Sequence, residues 1–159
     1  MCTLRPEFDS WTWFGRGPGE NYRDRQTGYM IGQWSADVAK AWFPYVKPGE
    51  TGNRTDIRWS RFTDNDGRGI AFRSTDGQLL EMSAYPFLQS DLEDKLHPTE
   101  IPLRDLVTVH ITHVQMGVGG ENSWGDWPLP QYQLTPDRDY TFAFSIEPLG
   151  PPKTTDRLP

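Results

Sequence analysis

Residues 69–85 read "GIAFRSTDGQLLEMSAY". Two apolar runs, "GIAFRS" (69–74) and "QLLEMSAY" (78–85), flank Thr75-Asp76-Gly77. Asp-Gly between alternating runs is a hairpin signal, because both residues tolerate the positive φ that a tight turn needs. The spacing therefore predicts two consecutive antiparallel strands. Working outward, "SWTWF" (10–14) places Trp11 and Trp13 on one face of a strand. "TDIRWSRF" (55–62) sets Ile57, Trp59 and Arg61 against Asp56, Arg58, Ser60 and Phe62. "LVTVHITHVQM" (106–116) is largely β-branched, and "PQYQL" (130–134) and "DYTFAFSIE" (139–147) complete the set. Short alternating runs split by turn residues predict an all-β, antiparallel β-sandwich.

Helix is scarce. "SDLEDKL" (90–96) carries Ser90 and Glu93 at capping-box spacing and predicts one or two turns. "SADVAKAW" (35–42) predicts another short turn. Residues 1–147 read as one domain. Residues 148–159, "PLGPPKTTDRLP", read as a Pro-rich tail.

The composition bounds the function. The 159 residues carry 7 Trp, 6 Tyr and 8 Phe beside 15 Gly and 14 Pro, which suits strands joined by ordered loops. A net charge of −6 argues against recognition of nucleic acid through its phosphates. No apolar run approaches the roughly 18–20 residues of a membrane span, and no apolar leader is visible at the N-terminus. One cysteine, Cys2, excludes an internal disulfide and fits a reducing compartment.

Several patterns suggest chemistry. Glu20, Glu50 and Glu121 each sit in a Gly-rich turn, "GPGEN", "PGETG" and "GGENS". Two carboxylates about 5–9.5 Å apart are the machinery of most glycosidases. Carboxylates in turns also accept local backbone N–H groups or pair with arginine. His110 and His113 in "HITH" would face opposite sides of a strand, so they do not form a metal pair. "GRGPGE" (15–20) and "GVGGEN" (117–122) lack the phosphate-loop pattern, and each carries a glutamate that would repel phosphate. Ser123 has no nucleophile-elbow context. Asn53-Arg54-Thr55 is a glycosylation sequon by rule and is read as chance. The odd residue is Trp124 in "GVGGENSWG" (117–125), a large apolar side chain in a flexible, polar segment. An exposed indole there would offer a flat platform to the C–H face of a sugar, with Asn122 and Glu121 as polar partners. The alternative is a loop tryptophan folded back to cap the core.

"WFGRGPGENYRDR" (13–25), "FPYVKPGETGNRTDIRW" (43–59), "HPTEI" (97–101) and "QMGVGGENSWG" (115–125) occur in order. Together they resemble the C-terminal domain of the large bacterial β-galactosidases of glycoside hydrolase family 2, over nearly the whole chain to about residue 147. The resemblance implies the second half of a galactose-mutarotase-like β-supersandwich. It implies that a jelly roll, immunoglobulin-like spacers and a (β/α)₈ barrel belong to the complete enzyme. It implies that the catalytic carboxylates and the Mg²⁺ ligands, with Na⁺ as a second ion, lie on that barrel and not here. Trp124 matches a family tryptophan that stacks on sugar beside the catalytic site. The implied activity is retaining hydrolysis of terminal β-D-galactosides such as lactose, in the bacterial cytoplasm. This chain would then contribute a pocket wall to a partner region, the rest of the enzyme or a large subunit, and no catalytic residue. The two other readings are a free-standing carbohydrate-binding module and a structural or docking domain.

Overall fold

The structure is a computed structural model that describes residues 1–119, 122 and 124–151. Among them lie nine strands: β1 (Cys2–Leu4), β2 (Ser10–Gly17), β3 (Met30–Asp37), β4 (Arg54–Ile57), β5 (Trp59–Thr63), β6 (Gly69–Ser74), β7 (Leu80–Tyr85), β8 (Val107–Thr112) and β9 (Phe144–Leu149). They form a four-stranded sheet, β1-β8-β7-β4, and a five-stranded sheet, β3-β2-β5-β6-β9. All the strand pairs are antiparallel. The all-β sandwich expected from the sequence is what the chain builds.

The two sheets close on a mixed aromatic and aliphatic core. Trp11 and Trp13 of β2, Phe62 of β5 and Phe72 of β6 are fully buried on one side. Ile57, Leu80, Met82, Ala84 and Val109 meet them from the other sheet. Trp11 stacks on Phe62 at 5.6 Å and tilts against Trp13 at 4.6 Å. Each indole N–H is satisfied, Trp11 by Ser60 Oγ at 2.8 Å and Trp13 by the Arg16 carbonyl at 2.9 Å. Burying each such side chain contributes about 1.5–3 kcal/mol, so this cluster dominates the stability of the sandwich.

Two turns depart from expectation. Asp76 (φ 59°) and Gly77 (φ 73°) do form the tight turn at 75–77. The strands they join, β6 and β7, nevertheless lie in opposite sheets. The local hairpin is β5–β6, closed by Asp64 N–H donating to the Arg68 carbonyl at 2.8 Å. "TDIRWSRF" is likewise two strands in two sheets. A bulge in β4 and a positive φ of 57° at Asp56 turn the chain across the sandwich. Aspartate tolerates the left-handed region better than most residues, and Arg16 Nε holds this one at 2.6 Å. Ile57 therefore faces the core from one sheet, while Ser60 and Phe62 face it from the other and Arg61 is exposed.

Four smaller differences remain. β1 and β3 were not legible as strands, and β3 pairs with β2 over eight positions. "PQYQL" is a single 3-10 turn, Pro130–Tyr132, because Pro130 at its start removes a ladder N–H. The last strand begins at Phe144, not at 139, and runs two residues into the Pro-rich stretch. The short turn at Val38–Lys40 forms as expected, capped by Asp37 accepting from Ala39 N–H at 2.9 Å. In the turn at Gln89–Leu92 the capping carboxylate is Asp91, which accepts from Leu88 N–H, and not Glu93.

Candidate functional site

β7 is buried on both faces. Leu80, Met82 and Ala84 pack into the sandwich, while Glu81, Ser83 and Tyr85 face a layer of loops over the four-stranded sheet. Those loops contain the Gly-rich motifs that stood out in the sequence. Asn21 and Asn53, fully buried, tie them together. Asn53 Nδ2 reaches the Asn21 carbonyl at 3.1 Å and Glu81 Oε2 at 3.0 Å. Asn21 Oδ1 accepts from Thr55 N–H at 2.9 Å and from Thr55 Oγ1 at 2.6 Å. Burial of Asn53 also makes the sequon inaccessible in the folded chain. Glu81 has a pKa pushed up to about 7, first by burial, with the Asn53 amide opposing.

The turn glutamates separate. Glu20 is consumed by the fold. Its carboxylate accepts from Arg25 Nη2 at 2.6 Å, Thr51 Oγ1 at 3.2 Å, Gly52 N–H at 2.5 Å and the Tyr45 hydroxyl. That is the local role weighed against catalysis for turn carboxylates, and it leaves Glu20 no free lone pair aimed outward. Glu50 accepts a long bond of 3.4 Å from the Tyr22 hydroxyl. Its carboxyl is raised above the ordinary range by burial against the loops, with Glu20 adding to the effect. The residue taken as a whole is exposed. Glu121 lies outside the described residues. His110 and His113 go to different neighbours. His110 Nε2 meets the Tyr85 hydroxyl at 2.8 Å, and His113 stacks on Phe142 at 5.7 Å.

The tryptophan loop springs from this layer just after β8. Its root is closed by Gly117 N–H donating to the Tyr132 carbonyl at 2.9 Å. Trp124 is 89% exposed, so it does not fold back over the core. It is also not loose. Its N–H donates to Asn122 Oδ1 at 2.8 Å, and Asn122 Nδ2 donates to Asp126 Oδ2 at 2.5 Å. Asn122, expected as a sugar partner, thus braces the loop with both ends of its amide. Gly125 takes φ 97°, which strains any L side chain and explains a glycine directly after the tryptophan. Trp127 is 66% exposed on the same loop. Beside the loop root lies an open pocket of about 660 Å³ lined by Tyr22, Tyr45, Val46, Glu50, Val118 and Gly119. Among the described residues, no helix is long and apolar enough to cross a membrane.

Comparison with known proteins places this arrangement. The family model "Beta galactosidase small chain" matches residues 1–146. A β-galactosidase of Priestia megaterium is 41% identical over 149 residues, covering 94% of this chain and 14% of that protein. One from Halalkalibacterium halodurans is 36% identical over 143 residues, covering 90% and 14%. One from Streptococcus thermophilus is 30% identical over 144 residues, covering 91% and 14%. The chain therefore spans about 14% of the length of these relatives. With its two-sheet sandwich and its braced tryptophan loop, this chain belongs to the β-galactosidase small-chain family.

Proposed function

We propose that this chain is the part of a β-galactosidase that walls the sugar pocket through Trp124. The whole enzyme would hydrolyse terminal, non-reducing β-D-galactose residues such as that of lactose, in the cytoplasm. Hydrolysis would follow the retaining route. One carboxylate forms a galactosyl intermediate and a second carboxylic acid protonates the leaving group. Both carboxylates, and the Mg²⁺ and Na⁺ sites, would belong to the remainder of the enzyme, which is the partner this domain docks against. The observation that carries the reading is the 89% exposure of Trp124, whose backbone N–H is tied to Asn122, in a member of this family. An exposed indole presents a flat apolar face, and sugar C–H faces stack on it. Asn122, which has a second amide N–H, and Glu121 would bind hydroxyls beside it.

The test is Trp124→Ala in the β-galactosidase that contains this chain. Loss of about 0.5–1.5 kcal/mol of stacking should raise KM for lactose roughly 2- to 12-fold. The chain by itself should release no nitrophenol from a nitrophenyl β-galactoside. Turnover by the purified chain would refute the division of labour. Unchanged KM in Trp124→Ala for every aglycone tried would refute the pocket wall.

A further inference from the structure

The stretch "GVGGENSWG" holds four glycines. At the root of the loop, Gly117 serves a steric purpose. A Cβ there would stand 2.7 Å from Asp24 Oδ2 and 2.9 Å from the Tyr132 side chain. The space that glycine leaves empty is filled by a carboxylate. Asp24 Oδ2 accepts the Gly119 backbone N–H at 2.7 Å, across a sequence separation of 95 residues. Asp24 sits in a turn that is itself fixed. Arg25 N–H donates to the Tyr22 carbonyl at 2.7 Å, Tyr22 N–H donates back at 3.3 Å, and the Tyr22 ring is fully buried. The adjacent Arg25 gives its guanidinium to Glu20, so the Asp24 carboxylate is directed to the loop.

We propose that Asp24 is a positioning residue for Trp124: its carboxylate latches the Gly117–Gly119 root to the Tyr22–Arg25 turn and sets where the indole stands. Two ties hold the root, the Tyr132 carbonyl at Gly117 N–H and Asp24 at Gly119 N–H. A hydrogen bond to an ionised acceptor is about twice as strong as a neutral one, which suits a contact at the foot of an exposed loop. The latch holds whatever Trp124 binds. Its effect on catalysis rests on the sugar-platform reading.

The experiment labels the chain with 5-fluorotryptophan and follows its ¹⁹F spectrum, with the Trp124 resonance assigned by Trp124→Phe. Asp24→Ala and Gly117→Ala should shift or broaden the Trp124 line and leave the Trp11 and Trp13 lines in place. Asp24→Asn retains an acceptor for Gly119 N–H and should restore the parent spectrum, which a mere loss of fold would not permit. In the complete β-galactosidase, Asp24→Ala should raise KM for lactose 2- to 10-fold with kcat within twofold. The Asp24→Ala, Trp124→Ala double variant should be no worse than Trp124→Ala. An unmoved Trp124 line in Asp24→Ala overturns the latch. A moved line with parent KM, where Trp124→Ala does raise KM, overturns the positioning role. A moved line with Trp124→Ala itself silent in kinetics supports the latch and removes the sugar-platform reading instead.

Discussion

Arg54 is 4% exposed and has no carboxylate partner among the described residues. Its guanidinium lies over Trp13 at 5.2 Å and Trp11 at 5.6 Å. It donates Nε to the Pro18 carbonyl at 2.9 Å, Nη1 to those of Gly52 at 2.9 Å and Asn53 at 3.2 Å, and Nη2 to that of Ala41 at 3.3 Å. One planar cation thus ties the β2–β3 loop and both ends of the β3–β4 loop to the tryptophan core. Arg54→Met keeps much of the volume and orphans the Pro18, Gly52 and Ala41 carbonyls, while that of Asn53 keeps the Asn21 N–H at 2.9 Å. At about 1 kcal/mol per orphaned acceptor and about 2 kcal/mol for a desolvated cation–π contact, the gross loss is about 5 kcal/mol. Burial opposes it. It lowers the pKa to about 10, a desolvation cost of roughly 3 kcal/mol that methionine does not carry. The expected net loss is about 2 kcal/mol, or a fall in Tm of about 4–8 °C for a chain of this size. Guanidinium unfolding followed by tryptophan fluorescence, with Arg54→Lys alongside, measures it. Lysine should lose about 1 kcal/mol, because one ammonium has three donors and no fork. A Met variant within 0.5 kcal/mol of the parent, or a Lys variant equal to it, would refute the view that carbonyl satisfaction holds these loops.

Two further outcomes follow from the same layer. Glu81 has a folded pKa of about 7 against an ordinary value of 4.5. A raised carboxyl binds its proton more tightly when folded, so its contribution to stability is full below about pH 4.5 and is lost as pH rises through 7. The loss is at most about 3 kcal/mol. Urea midpoints should fall between pH 5 and pH 8 in the parent and change less in Glu81→Gln, and parallel pH profiles would exclude the effect. Trp13→Ala should cost about 3–5 kcal/mol. Combined with Arg54→Met it should cost about 1 kcal/mol less than the sum, since the two share a contact. Strict additivity in a double-mutant cycle would show that the stack carries no coupling.

Much of this molecule is legible in one dimension. The all-β class follows from period-2 alternation and Asp-Gly punctuation. Trp11 and Trp13 read as one face of a strand, because alternate side chains point the same way whatever that strand pairs with. Trp124 stood out because an apolar platform in a glycine-rich loop contradicts its surroundings. Sheet membership was not legible. "GIAFRS" and "QLLEMSAY" alternate equally well as hairpin partners or as strands of opposite sheets. Only the pairing of β6 with β5 and β9 decides between those arrangements. The corner at Asp56 hid inside an unbroken alternating run, since a single positive φ leaves no mark on hydropathy.

The chemistry divides in the same way. Residue type alone determined that turn glutamates would find N–H groups and cations, and Glu20 does. Which glutamate would be buried was a matter of tertiary structure. Glu81 looked like the polar member of a strand, and it lies under the loops because β7 is central and covered on both faces. Asp24 gave no signal at all, because its partner amide lies 95 residues away. Sequence determines what each side chain can do within a few residues of itself. Hydrogen bonds and packing between distant segments depend on where the backbone brings them, and here that convergence at the root of the Trp124 loop is a property of the folded chain alone.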